Sequence, residues 1–184
     1  MKVMKFGGTS VGSVNGILSV KKIVEAQQEP VIVVVSALSG ITDQLYTTAR
    51  MASEGNTEYT LEYQTMLARH TEIIETVIPE HKIQPVLEEI RLLFNDLSNI
   101  LRGVYLIKDM SPKIIDSIVG YGESISSIII ANAIENAIHF DSRKIIKTNH
   151  QFDKHVVDFA NTNVLIRDMF STAPKVSVCG GFIS

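Results

Sequence analysis

Five consecutive β-branched residues, Val31-Ile32-Val33-Val34-Val35, leave this chain few folds to choose from. The run follows Glu29-Pro30 and shows no polar alternation, which suits a strand of a parallel sheet covered on both faces. Upstream, Lys2 to Phe6 reads as another short strand. It is followed by the turn Gly7-Gly8-Thr9-Ser10 and by Ile17, Val20, Ile23 and Val24 at helical spacing. Strand, helix, strand in that order implies a right-handed crossover between parallel strands.

Past the second strand the loop Ser36-Ala37-Leu38-Ser39-Gly40 leads into a helix with Thr42 near its N-terminus and Leu45, Thr48 and Ala49 in its first turns. A small-residue loop therefore follows the C-terminal end of a strand twice. From about Glu58 to Ala137 the pattern is mostly helical, and Val86, Ile90, Leu93, Leu97, Ile100 and Val104 form a core stripe. Ser111-Pro112 marks an N-cap and first turn, and Gly120 and Gly122 are expected to interrupt that helix. The remainder alternates again, with a strand at 139–141, extended pieces at 145–147, a helix at 161–170 and a strand at 176–179. The expected class is α/β, a three-layer sandwich with a mainly parallel central sheet and a mostly helical insertion around 55–138.

With 184 residues and 45% hydrophobic content, the chain can bury one core and is too short for two. No Gly/Ser/Pro linker or internal repeat divides it. A net charge of −3 offers no basic excess for a phosphate backbone, so nucleic acid is not an expected partner. Apolar runs such as Ile128-Ile129-Ile130 fall far short of the ~20 residues that span a bilayer, and no signal-peptide core stands at the N-terminus. A cytoplasmic protein is expected, with no membrane partner. Cys179 is the one cysteine and lies in an apolar stretch, the setting of a structural thiol. The histidines at 70, 81, 139, 150 and 155 are not paired on one helix face, so no protein-bound metal is expected.

Three constellations carry possible chemistry. In Lys5-Phe6-Gly7-Gly8-Thr9-Ser10 the glycines let backbone N–H groups approach an anion, and a helix N-terminus just beyond adds positive potential. Lys5 precedes the glycines, so residue order excludes the Walker P-loop, although a lysine there can still neutralise a transferring phosphoryl group. A tight turn beside a surface lysine fits the same six residues. Ser36, Ser39 and Thr42 offer hydroxyls at a strand end, which suit either a ligand or ordinary capping. In Gly120-Tyr121-Gly122-Glu123-Ser124 a carboxylate beside glycines could take up an ammonium group, or stand as a solvated helix charge.

The string Lys5 to Val11 resembles the N-terminal Lys-Phe-Gly-Gly-Thr-Ser-Val signature of the aspartate kinases, within the wider amino acid kinase family. Val33 to Asp43 is similar to that family's strand and serine-rich loop, Gly122-Glu123 to its Gly-Glu segment, Asp141 to Lys144 with Thr148-Asn149 to its Asp-x-Arg-Lys and Thr-Asn pieces, and Gly180 to Ile183 to its glycine-Phe-Ile stretch. The resemblance runs in register from the first residue to the last. The long helical segment between Gly55 and Met110 is similar to that of lysine-sensitive and bifunctional homoserine dehydrogenase types.

The resemblance implies phosphoryl transfer from ATP, carried with Mg²⁺, to the β-carboxylate of L-aspartate in a homo-oligomeric parent protein. It places Lys5, Gly7, Gly8 and Ser10 on the phosphates, with Lys5 catalytic. It places Ser36, Ser39, Thr42, Glu123, Gly181 and Phe182 on aspartate. The family continues with a Gly-Arg-Gly-Gly-Ser-Asp motif, an adenine-binding half and regulatory ACT domains. The chain is therefore expected to be the substrate-side part of a kinase domain, truncated before the nucleotide-binding half and inactive alone. Another amino acid kinase and a non-catalytic folded fragment are the competing readings. A dinucleotide-binding domain is a poorer fit, because the Gly-x-Gly-x-x-Gly spacing and a ribose-binding acid are missing.

Overall fold

The Val31–Val35 run forms β2, and its neighbours follow the expected parallel arrangement. A computed structural model of the protein describes residues 1–151, 154–172 and 174–181. Strand β1 spans Lys2–Phe6, followed by a one-turn helix α1 (Gly8–Val11) and by α2 (Val14–Glu25), which leads to β2 (Val31–Val35). Four helices come next: α3 (Ile41–Ser53), α4 (Tyr59–Val77), α5 (Glu80–Ile107) and α6 (Pro112–Ala133). Strand β3 (Ala137–Phe140), the short α7 (Ser142–Ile145), the hairpin β4 (Thr148–Gln151) with β5 (Lys154–Val157), α8 (Phe159–Phe170) and β6 (Val176–Gly180) complete the order.

Strands β1, β2, β6 and β3 lie side by side in that order, all parallel, while β4 and β5 pair antiparallel in a separate ribbon. On one face of the sheet Met4, Val33 and Val178 stand level across β1, β2 and β6. Val33 and Val178 are fully buried, and Met4 packs against the same core. Helix α6 covers this face, with α2 beside it and α3 and α5 stacked behind. The other face is covered less completely. Phe140 meets Phe170 of α8 at a ring separation of 5.5 Å, whereas Val3 and Ile138 remain 68% and 49% exposed. Cys179 lies on this second face, half-buried, and burial raises its thiol pKa, which keeps it protonated and inert.

Helix α6 meets the length and composition of a membrane span, with mean hydropathy 1.4 over its most apolar window. Its packing gives a different reason for that composition. Ile118, Ile125, Ile129 and Ile130 are each 2% exposed or less, sandwiched between the sheet and the α3/α5 layer.

Two local expectations fail. Gly120 and Gly122 do not interrupt α6, which runs unbroken from Pro112 to Ala133. Gly122 serves close packing instead: a Cβ there would sit 2.8 Å from the Ala37 Cβ. The loss of helix propensity, about 1 kcal/mol for a glycine, is offset by contact between α6 and the loop after β2. The segment expected to be extended at 145–147 is partly helical, because Asp141 caps α7 by accepting a hydrogen bond from the Arg143 backbone N–H at 3.1 Å. Ser111 does precede a proline in the first turn, but its hydroxyl makes no capping hydrogen bond.

Candidate active site

Parallel register fixes where the loops emerge. Phe6 stands level with Val35, and Val35 with Gly180. The segments beginning at Gly7, Ser36 and Gly181 therefore leave the same end of the sheet side by side, with Asp141 next to them after β3. The carboxyl end of a parallel sheet is where α/β proteins build their sites.

The first two loops are stitched together at their bases. The Ser36 N–H donates to Phe6 O at 3.1 Å, and the Ser126 hydroxyl of α6 donates to Ser36 O at 2.8 Å. Gly7 has φ −77°, which any residue adopts, and nothing lies within 4 Å of the position a Cβ would take there. The open side of Gly7 is room for a ligand rather than relief of strain. Gly8 serves close packing: its Cβ would lie 3.1 Å from Ala37 O. Ser10 is half-buried in α1, and its N–H is used by Gly7 O at 2.9 Å.

Lys5 lies exposed on the incompletely covered face of the sheet, level with Val34. Ser39 and Thr42 are exposed at the rim, where Gly40 (φ 79°) adopts the left-handed conformation that starts α3. Gly181 donates its N–H to Val35 O at 2.9 Å. Phe182 lies outside the described residues.

Glu123 projects from α6 on the covered face. Its Cβ is 3.1 Å from where a Cβ on Gly180 would be, so a larger residue at the end of β6 would push against α6. Burial raises the Glu123 pKa, opposed by a hydrogen bond from the Ala37 backbone N–H. Among the described residues no Lys, Arg or His lies within 4 Å of its carboxylate. It faces a cavity of about 310 Å³ whose wall also includes Ser127, His139, Asp141, Arg143 and Gly180. Ser36, Ser39 and Thr42 do not line that cavity, and Glu123 meets their loop through the Ala37 backbone N–H.

The cavity wall holds side chains that the residue pattern left as a polar loop. Arg143 grips Asp141 through Nε and Nη2, both at 2.9 Å, and this holds the Asp141 carboxyl below its usual range. His139 Nε2 lies 2.9 Å from the Ser127 hydroxyl, and burial lowers its pKa, which favours neutral imidazole. Arg69 of α4, also absent from the expected site, reaches both loops. The only sequence signal for the wall was the Asp-x-Arg-Lys string; Arg69 had none. Among the described residues no group of three or more His, Cys, Asp or Glu side chains is arranged to hold a metal ion.

Residues 1–184 match the amino acid kinase family. The bifunctional aspartokinase/homoserine dehydrogenase 2 of Arabidopsis thaliana is 28% identical over 99% of the chain, which covers 21% of that relative. The lysine-sensitive aspartokinase 3 of Escherichia coli is 29% identical over 86% of the chain and 34% of its own length. The solved structure of E. coli aspartokinase III with lysine and aspartate superimposes with a TM-score of 0.85 at 26% identity, over 100% of this chain and 41% of that one. The structure with aspartate and ADP gives 0.83 at 27%, with the same coverage of each chain. The chain thus spans about a fifth of the bifunctional relatives and two fifths of the solved enzyme.

Proposed function

Because the chain belongs to the amino acid kinase family along its whole length, we propose that it is the substrate-side part of an aspartate kinase domain. In the full-length protein that domain transfers the terminal phosphoryl group of ATP to the β-carboxylate of L-aspartate, giving 4-phospho-L-aspartate. The observation that carries the reading is Glu123. A half-buried carboxylate with no cationic side chain within 4 Å, beside a cavity at the carboxyl end of a parallel sheet, is in want of a cation. The α-ammonium of an amino acid supplies one.

The nucleophile needs no general base, since an aspartate side chain with pKa about 3.9 is already ionised at neutral pH. Catalysis then rests on placing the carboxylate and neutralising the oxygens of the moving phosphoryl group. In this reading Lys5 and the backbone N–H groups of Gly7 and Gly8, with Ser10, attend the phosphates. Ser36, Ser39, Thr42, Glu123, Gly181 and Phe182 attend aspartate. Lys5 and Glu123 lie towards opposite faces at one end of the sheet, so nucleotide and amino acid approach from two sides and meet over the glycine loop. Mg²⁺ would enter as part of the nucleotide complex and would supply charge neutralisation at the phosphate oxygens.

The test is an ATP-dependent acyl-phosphate assay on the full-length protein, with product trapped by hydroxylamine. L-aspartate is expected to react and L-glutamate not to. Lys5→Ala is expected to lower kcat, and Glu123→Ala to raise KM for aspartate while leaving KM for ATP unchanged. Near-normal turnover of Lys5→Ala would remove Lys5 from the phosphates, and a Glu123 effect confined to ATP would refute its assignment.

A further inference from the structure

Helix α4 of the helical insertion reaches both site loops through a charged side chain. Arg69 of α4 donates from Nη1 to Ser39 O at 2.9 Å and from Nη2 to Gly12 O at 3.0 Å. Its two acceptors sit at the distal ends of the two site loops, one after β1 and one after β2. We propose that Arg69 is a positioning residue that sets the spacing between the glycine loop and the serine loop, and so between phosphates and amino acid. The role, though not the contact, rests on the kinase reading above.

Three observations support the proposal. First, the loops are joined at their bases by Ser36 N–H to Phe6 O, whereas at their far ends, among the described residues, van der Waals contact and Arg69 alone hold them. A Cβ on Gly12 would lie 2.5 Å from the Ser39 Cβ, so the loops already touch and have no room for a bridging side chain of their own. Second, the base of Arg69 is fixed. His70 beside it is fully buried, packs edge-on against Phe94 at 5.3 Å and bonds Met66 O, while Gln44 of α3 donates to Glu62 of α4 at 2.9 Å. Third, no carboxylate lies within 4 Å of Arg69 among the described residues, so its guanidinium is committed to the two carbonyls. A planar fork with donors at fixed angles can span two acceptors, whereas a lysine ammonium is a point charge that serves one geometry at a time. Charged donors also make the stronger hydrogen bonds.

The experiment compares Arg69→Met and Arg69→Lys with wild type by amide hydrogen exchange on the full-length protein, without ligand. Both variants are expected to speed exchange in the segments 7–16 and 36–44 together, by about tenfold or more, with α5 and β6 unchanged. In steady-state kinetics both are expected to lower kcat/KM for aspartate and for ATP by roughly tenfold or more, since small misplacements of reacting groups are costly. Unchanged exchange in the two loops overturns the proposal. So does full restoration by lysine, which would reduce Arg69 to a charge, and so does uniform acceleration across the core, which would make it an ordinary packing residue. If wild-type protein fails to phosphorylate aspartate, the kinase reading falls while the exchange data still decide the bridge. Should Arg69→Met not fold, Arg69→Lys keeps the stem and charge and carries the test alone.

Discussion

Exchanging glycine for alanine at two interior helix positions should shift stability in opposite directions. In α5, nothing lies within 4 Å of the Cβ position of Gly103, so Gly103→Ala should gain the usual helix-propensity difference, about 0.5–1 kcal/mol. In α6, the new methyl of Gly122→Ala would stand 2.8 Å from the Ala37 Cβ, 3.4 Å from Leu45 Cδ1 and 3.6 Å from Ile41 Cγ2. Carbon atoms rest about 3.5–4.0 Å apart, so α6 must back away from the loop after β2 by about 1 Å. The closest atom is a Cβ fixed to backbone, which has no rotamer to escape into. Overpacking costs about 1–3 kcal/mol, and subtracting the propensity gain leaves a net loss of up to about 2 kcal/mol. In a domain of this size that lowers Tm by about 2–4 °C per kcal/mol. Urea and thermal unfolding measure the stability change. Glu123 is the next residue along α6, so Gly122→Ala should also depress kcat/KM for aspartate by one to two orders of magnitude, roughly the effect of a 1 Å misplacement. Gly103→Ala should leave it unaltered. Equal stabilisation by both substitutions, with unchanged kinetics, would refute the close contact and the positioning of Glu123 that follows from it.

Burial pushes the His70 pKa down to about 4, against the opposing effect of the hydrogen bond from Nδ1 to Met66 O at 2.7 Å, and Nε2 is buried without a partner among the described residues. The folded state therefore resists a proton that the unfolded chain accepts near 6.5. Stability should be full above that value and fall by on the order of 3 kcal/mol as pH drops towards 4. His70→Leu should flatten this slope in urea titrations at pH 5 and 7, and an unchanged slope would assign it elsewhere. Glu123→Gln removes a charge that burial disfavours, because a raised carboxyl pKa means stability declines as pH rises through that pKa. The variant should be at least as stable as wild type at pH 7, with the difference closing in acid, yet show a raised KM for aspartate; loss of stability at pH 7 would contradict this. Ser126→Ala removes a buried donor to Ser36 O and should cost about 1–2 kcal/mol, with faster amide exchange at Ser36 and Ala37 as the local signature.

Much of this architecture is written in residue order. The unalternated run Val31–Val35 suited a parallel strand, though its second face is only partly covered, and the small-residue loops after Phe6 and Val35 marked the end of the sheet where a site is built. The β1 and β2 bounds and the α5 stripe follow from periodicity, a local property that a linear pattern carries. What lay beyond that pattern was contact between distant segments. Gly122 looks like a helix breaker until Ala37 is placed against it, 85 positions away in the chain, and then it is the reason α6 can pass so close. Asp141 to Lys144 looks like a polar loop until β3 aligns with β6 and turns it into the wall facing Glu123. Arg69 sits in a helix whose pattern reads as core packing, and only the fold brings Gly12 and Ser39 within reach of one guanidinium. Periodicity encodes which face of an element is buried, so the elements were legible. The site depends on which elements meet, and that was decided only when the sheet and helices packed.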